Sequence, residues 1–144
     1  MIDVLVIDDE INFLKDLAEG LRLYSKKIYV ITTSNAEKAL EILKTAKIDV
    51  VLTDLKMPGI GGIEFVKQVC TSNPHLPVII MSACARMTVD DKLPGLKLAG
   101  YLEKPVGLHE IADAILYAAN YPGHREKKQA TGHDPIQEIR RTHD

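Results

Sequence analysis

The stretch Val50-Val51-Leu52-Thr53-Asp54-Leu55-Lys56-Met57-Pro58-Gly59 decides the fold of this chain. The apolar and β-branched residues that lead from Asp49 into Thr53 predict a buried strand. Asp54 stands where that strand should end, and Pro58-Gly59 then predicts a tight turn. The pattern holds one carboxylate at the carboxyl end of a strand, where open α/β sheets bind their ligands. Alone, Asp54 could as well cap the turn or the next helix, so its role depends on the rest of the chain.

Similar apolar segments lie on both sides of this stretch and alternate with segments of helical period. The predicted strands cover residues 2–7, 28–32, 49–53, 77–81 and 100–102. Five helices are predicted between and after these strands. The first follows Asp8-Asp9-Glu10, the second begins at Ala36 after a capping box of Ser34 and Glu37, and the third begins at Ile63. The fourth covers residues 86–98 and the fifth covers 108–119. This alternation predicts an α/β fold, a doubly wound parallel sheet of five strands with five helices on its two faces. Right-handed crossovers favour the flavodoxin-like strand order 2-1-3-4-5.

The fourth helix carries an interruption. Pro94-Gly95 lies inside the 86–98 segment, and a proline in a helix interior costs about 3 kcal/mol because it removes a backbone hydrogen bond. We therefore expect a short or broken fourth helix that is easily displaced.

Length and composition limit the remaining possibilities. The 144 residues, 46% of them hydrophobic, suit one domain with a core of useful size, which we expect over residues 1–122, and a polar tail over 123–144. The net charge of −2 gives no general reason for nucleic-acid or membrane binding. Cys70 and Cys84 form no metal-binding pattern, and no targeting or membrane-spanning segment stands out, so we expect a cytoplasmic protein.

Three carboxylates follow strands that the predicted order makes neighbours. Asp8 and Asp9 end the first strand and Asp54 ends the third, so the three should converge in one pocket. Like charges roughly 5 Å apart repel by about 3 kcal/mol per pair at an effective dielectric constant near 20. Such a cluster is sensible with a hard divalent cation, and oxygen ligands of this kind suit Mg²⁺. The alternative is that Asp8-Asp9-Glu10 only caps the helix that follows.

A hydroxyl and a cation complete the predicted pocket. Ser82 ends the fourth strand and Lys104 ends the fifth. Singly, Ser82 is an ordinary turn residue, Lys104 a solvated surface residue and Tyr101 a packing residue. Together, a metal ion and an ammonium group around one carboxylate are what phosphoryl transfer requires.

The chain resembles the receiver domain of two-component response regulators. The matching residues are Asp8-Asp9, Asp54 with Met57-Pro58-Gly59, Ser82-Ala83, and Tyr101 with Lys104-Pro105, in family order over about residues 2–121. The resemblance implies that Asp54 accepts a phosphoryl group from a phosphohistidine on a histidine kinase or phosphotransfer protein. It implies no external substrate, so that the chain would catalyse only its own phosphoryl transfer and autodephosphorylation.

The resemblance also assigns roles to individual residues. Asp9, Asp54 and the Lys56 backbone carbonyl would bind Mg²⁺, and Asp8 would act largely through water. Lys104 and Ser82 would contact phosphoryl oxygens. The remaining assignments are a switch role for Tyr101 and a cis peptide bond at Lys104-Pro105.

Partners and alternatives follow from the same resemblance. The fourth helix, fifth strand and fifth helix would form the surface that partners read, and a homodimer through that surface is one expectation. Nucleic acid would be bound only through an effector domain beyond this chain. A Mg²⁺-dependent phosphatase with an aspartyl nucleophile is the first alternative, although Lys56 stands where such enzymes carry a second acid. A receiver-like interaction module that works without phosphorylation is the second.

Overall fold

The structure is a computed structural model, and it describes residues 1–56, 60–83 and 85–120. Outside the described residues lie Met57, the predicted turn at Pro58-Gly59, Cys84, and the end of the chain from 121 onward, which includes the predicted tail over 123–144.

Five parallel strands form one sheet. They are β1 (Ile2–Ile7), β2 (Ile28–Thr33), β3 (Val50–Thr53), β4 (Val78–Ser82) and β5 (Gly100–Glu103). Their order is β2-β1-β3-β4-β5, which confirms the predicted topology. In the register of the central pair, Ile7 lies opposite Thr53, so β1 and β3 end side by side.

Five helices cover the two faces of this sheet. They are α1 (Ile11–Tyr24), α2 (Ala36–Thr45), α3 (Gly61–Ser72), α4 (Ala85–Lys92) and α5 (Leu108–Asn120). Alternate strand residues enter two separate cores, because successive side chains of a strand point to opposite faces. Val4 and Val6 join the core under α1 and α5, whereas Leu5 and Ile7 join the core under α2, α3 and α4. None of the described helices is long and apolar enough to span a bilayer.

The fourth helix is short, as the interruption in its sequence predicts. α4 ends at Lys92 after 8 residues and does not continue to Leu98. The Leu93 backbone N–H still donates to the Val89 carbonyl at 3.0 Å, and the chain then turns at Gly95 with a positive φ of 81°. Proline cannot continue the hydrogen-bond ladder and glycine accepts positive φ, so this pair stops the helix.

The start of α2 differs from the predicted capping box. Its N-cap is Asn35 rather than Ser34, and the Asn35 side chain accepts a hydrogen bond from the Lys38 N–H at 2.9 Å. The Glu37 carboxylate does not bond back to the cap but accepts from the Ile60 N–H at 3.1 Å. A contact with a residue distant in sequence has replaced the local one.

We expect Asn35→Ala to lower the free energy of unfolding by about 1 kcal/mol, because it leaves one N–H at the helix start without its acceptor. Ser34→Ala is the matched control and should change stability by less than about 0.5 kcal/mol. Urea denaturation of both variants measures the difference. Equal effects of the two substitutions would contradict the assignment of the cap.

Candidate functional site

Three charged side chains follow three strands at the carboxyl end of the sheet. Asp8 follows β1, Asp54 follows β3 and Lys104 follows β5. Backbone hydrogen bonds to a neighbouring strand hold each of them. The Asp8 N–H donates to the Thr33 carbonyl at 3.3 Å, the Asp54 N–H to the Ile7 carbonyl at 2.9 Å, and the Lys104 N–H to the Ser82 carbonyl at 2.9 Å. The sheet therefore fixes the point from which each side chain starts.

The Lys104 ammonium group joins the two carboxylates. Its Nζ donates to Asp8 Oδ2 at 2.8 Å and to Asp54 Oδ2 at 3.2 Å. The Asp8 side chain is fully buried, that of Asp54 is 8% exposed and that of Lys104 is 22% exposed. Hydrogen bonds between two charged groups are stronger than neutral ones, and the low exposure limits screening by water.

The second oxygen of each carboxylate is held by backbone N–H groups. Asp8 Oδ1 accepts from the Glu10 N–H at 2.9 Å. Asp54 Oδ1 accepts from the Leu55 N–H at 2.7 Å and from the Lys56 N–H at 3.3 Å. Both acids therefore have a fixed orientation, as a nucleophile or a metal ligand requires.

Opposing effects act on the ammonium group of Lys104. Partial burial would lower its pKa, but the hydrogen bond to Asp8 and the negative charges of Asp54 and Asp8 outweigh that effect. The pKa of Lys104 is consequently raised above its ordinary value. Lys104 is thus a permanent cation in this pocket at neutral pH.

Phe13 on α1 is a member of the site that sequence reasoning missed. The Lys104 Nζ lies 4.9 Å from the centroid of the Phe13 ring, which is the geometry of a cation–π contact. In the sequence, Phe13 is one of several apolar residues of an amphipathic helix, and nothing in its spacing distinguishes it from a core position.

The residues present fit a hard divalent cation. Carboxylate oxygens of Asp8, Asp9 and Glu10 all lie within 4.8 Å of one another, and among the described residues this is the group of acids that could hold a metal ion. Asp9 and Glu10 are exposed and Asp8 is buried. Oxygen donors in such a number suit Mg²⁺, which keeps some of its waters. From the sequence, Glu10 was predicted only as part of a helix cap. Asp54 is linked to Asp8 by Lys104, whose Nζ donates to both carboxylates.

The other predicted residues lie around the same edge. Ser82 is the last residue of β4 and is 5% exposed, and within the described part of the chain its hydroxyl makes no hydrogen bond. Tyr101 is half-buried in β5 and packs against the core under α4. Lys56 is exposed and follows Asp54 by two residues. The Lys104-Pro105 peptide bond is cis.

Known proteins are similar to this chain in sequence and in fold. The sequence matches the response regulator receiver domain family over residues 4–116. It is 34% identical over 122 residues to the response regulator GacA of Pseudomonas aeruginosa, which covers 80% of this chain and 54% of that protein. It is 31% identical over 119 residues to the response regulator UvrY of Escherichia coli, with 80% and 53% covered. The chain thus spans about half the length of these curated relatives.

Solved structures agree with the sequence matches. A response regulator receiver domain protein from Clostridium thermocellum is 28% identical, with a TM-score of 0.72 and with 85% of this chain and 98% of that chain covered. The chemotaxis response regulator CheY4 of Vibrio cholerae is 25% identical, with a TM-score of 0.67 and the same coverage of 85% and 98%. Sequence, fold and the order of strands agree, and the chain belongs to the receiver domain family of two-component response regulators.

Proposed function

We propose that Asp54 accepts a phosphoryl group from a phosphohistidine on a histidine kinase or a histidine phosphotransfer protein. In this step the P–N bond of the phosphohistidine breaks and a P–O bond to the Asp54 carboxylate forms. The observation that carries the proposal is the Lys104 ammonium group, which contacts Asp54 at 3.2 Å and Asp8 at 2.8 Å at the carboxyl end of the sheet.

The residues of the pocket have separate parts in this proposal. Asp54 is the nucleophile, and its fixed carboxylate needs no reorientation before it attacks. Lys104 neutralises charge on an oxygen of the arriving phosphoryl group, and the buried Ser82 hydroxyl donates to another oxygen. The two donors stand on neighbouring strands, because β4 pairs with β5.

Mg²⁺ would be held by Asp8, Asp9, Asp54 and the Lys56 backbone carbonyl. Glu10 joins this group of ligands, because its carboxylate lies close to those of Asp8 and Asp9. When bound, the ion supplies positive charge that the phosphoryl oxygens need and offsets the repulsion among the acids.

The switch would reach partners through α4, β5 and α5. Ser82 and Tyr101 lie on adjacent strands, with Tyr101 opposite Ile80 in the register, so a displaced Ser82 changes the space beside Tyr101. α4 is short and polar, and a helix with so few packed turns is easily moved. The phosphoryl group shifts the equilibrium by its different contacts in the two states. We infer that a kinase, a second copy or an effector domain reads this surface, and that any nucleic-acid binding belongs to an effector domain beyond this chain.

The test is intact-protein mass spectrometry after incubation with a small-molecule phosphodonor and Mg²⁺. We expect wild type to gain the mass of one phosphoryl group and Asp54→Asn to gain none. Asp16→Asn removes an exposed acid from α1 and is the control that should be phosphorylated like wild type. No gain in wild type, with the phosphodonor and with a partner kinase, would overturn the proposal, as would an equal gain in Asp54→Asn.

A separate prediction concerns the metal ion alone. Mg²⁺ that binds only the folded state should raise the free energy of unfolding, by about 2.7 kcal/mol at one hundred times its dissociation constant. Asp9→Asn should remove most of this stabilisation and should itself fold normally, because Asp9 is exposed. Thermal unfolding across a Mg²⁺ titration measures both effects, with Asp16→Asn as control. The same Mg²⁺ response in Asp9→Asn and wild type would contradict the assignment of this ligand.

A further inference from the structure

The outer edge of β2 is open. β2 pairs with β1 and is the terminal strand of the sheet, so no strand of the described chain pairs with its other edge. The carbonyls of Lys27 and Thr33 accept hydrogen bonds from Ile2 and Asp8 of the neighbouring segment. Backbone groups of a strand point alternately to its two edges, so residues 28, 30 and 32 turn their N–H and C=O groups outward. The Ile28 N–H donates to the Ser25 carbonyl at 3.4 Å, so the N–H groups that a new strand could use are those of Val30 and Thr32. An open edge of this length is a template for another strand.

A groove of about 310 Å³ lies beside this edge, between β2 and the last turns of α1. Ala18, Ile28 and Val30 give it apolar surface, and Arg22 and Lys26 border it. Side chains of a strand alternate between the two faces of the sheet. A strand added outside β2 would therefore direct every second side chain into the groove.

The charge of the groove is one-sided. Arg22 and Lys26 are exposed cations, and among the described residues that line the groove none is acidic. Within the part of the chain that the structure describes, neither cation forms an ion pair. Two large apolar side chains of the same segments are also exposed, Leu23 to 86% and Tyr29, which lines the groove, to 54%. The chemistry that complements this surface is a carboxylate on a partly apolar chain.

We propose that the edge of β2 and its groove bind an extended acidic segment of another protein. The segment adds to the sheet as a sixth strand, and its backbone pairs with the outward groups of Val30 and Thr32. Its carboxylates pair with Arg22 and Lys26, while its apolar side chains cover Ala18 and Val30. The groove lies beside the end of α1, at the opposite end of the strands from Asp8 and Asp54, whereas the added strand follows β2 as far as Thr32. Binding uses no side chain of the acidic pocket, so we expect it without phosphorylation.

The test starts from a displayed library of random peptides of about ten residues, selected against the whole chain. We expect selection of peptides that alternate acidic and apolar residues. Binding should weaken about tenfold or more in the double variant Arg22→Ala, Lys26→Ala, because two charge pairs are lost. The matched control is Lys44→Ala, Lys67→Ala, which removes two exposed cations from α2 and α3 and should bind like wild type.

Hydrogen exchange distinguishes strand addition from binding in the groove alone. The Val30 and Thr32 amides should exchange quickly in the free protein, and the selected peptide should slow both of them. The Tyr29 and Ile31 amides, which face β1, should be slow in both states. The proposal would be overturned by a library without enrichment or by selected peptides that are not acidic. It would also be overturned by a bound peptide that leaves Val30 and Thr32 unprotected. Protection that grows with protein concentration in the absence of peptide would assign the edge to a second copy of this chain instead.

Discussion

Lys104→Met is expected to lower the free energy of unfolding by about 2 to 3 kcal/mol in metal-free buffer. The substitution leaves Asp8 as a fully buried carboxylate beside Asp54, with no cation between them. Removal of one partner from a buried ion pair typically costs about 3 to 5 kcal/mol. We expect a smaller loss, of about 2 to 3 kcal/mol, because the Lys104 side chain is 22% exposed and water screens part of its charge. Methionine keeps most of the aliphatic length of the lysine side chain and removes the charge. Chemical denaturation at neutral pH measures the change.

Two further variants isolate the cause of this loss. Lys56→Met removes an exposed cation from the same edge of the sheet and should change stability by less than about 0.5 kcal/mol. Adding Asp8→Asn to Lys104→Met removes the unpaired charge as well, and we expect it to recover part of the lost stability. If Lys104→Met is as stable as wild type, or if adding Asp8→Asn lowers its stability further, the ion pair of Lys104 and Asp8 does not stabilise the fold.

The same substitution should slow phosphorylation of Asp54 about 10²- to 10³-fold. Removal of one preorganised charge-stabilising donor from an active site typically has an effect of this size. The rate of mass gain with a small-molecule phosphodonor and saturating Mg²⁺ gives the value, and Lys56→Met again serves as the control. An unchanged rate would remove Lys104 from the reaction while leaving Asp54 as the acceptor.

Gly62→Ala is expected to lower the free energy of unfolding by about 3 kcal/mol. A Cβ atom at this position would lie 2.4 Å from the Leu55 Cα, 2.6 Å from the Leu55 carbonyl oxygen and 2.7 Å from the Asp54 carbonyl oxygen. These are backbone atoms that cannot rotate away, so α3 must separate from the segment that carries Asp54. Overpacking of this kind costs about 1 to 3 kcal/mol or more.

The expected loss of stability is opposite to the usual effect of replacing a helical glycine with alanine. Inside a helix, alanine is favoured over glycine by about 1 kcal/mol, so Gly62→Ala would stabilise the protein if space were available. Gly61→Ala is the neighbouring control, because Gly61 has a positive φ of 79° and open space around its Cβ position. Its cost should be limited to backbone strain of about 1 to 2 kcal/mol. Stabilisation by Gly62→Ala, measured by urea denaturation, would show that α3 can move freely from Leu55.

Much of the fold was readable because its signals are local or follow from chain topology. Apolar strands and helical period predicted five strands that alternate with helices, the right-handed crossover rule favoured their order in the sheet, and Pro94-Gly95 predicted the short α4. The gathering of Asp8, Asp54 and Lys104 followed from one rule, that parallel strands end at a common edge.

The features that sequence reasoning missed depend on contacts between distant residues. Glu37 bonds to Ile60 across 23 residues and leaves Asn35 as the cap of α2. Phe13 meets Lys104 only because the folded chain brings the first turn of α1 to the side chain that follows β5, and no spacing in α1 encodes that contact. Gly62 precedes Ile63, where the sequence predicts the third helix to begin, yet it lies in the first turn of α3. Its backbone closely approaches the backbone of Asp54 and Leu55, which the sequence does not indicate.

Asp8 and Lys104 stand 96 positions apart in the chain, so we expect their contact to form late in folding. Contacts of such long range form only after the intervening strands have docked, since closing so large a loop is entropically unfavourable until other contacts compensate. A chain that lacks β5, because its synthesis is unfinished or because it has been cleaved, would bring Asp8 and Asp54 together without Lys104. If Asp54 accepts a phosphoryl group as proposed, we expect the reaction only in molecules whose sheet includes β5, because Lys104 is otherwise missing from the pocket.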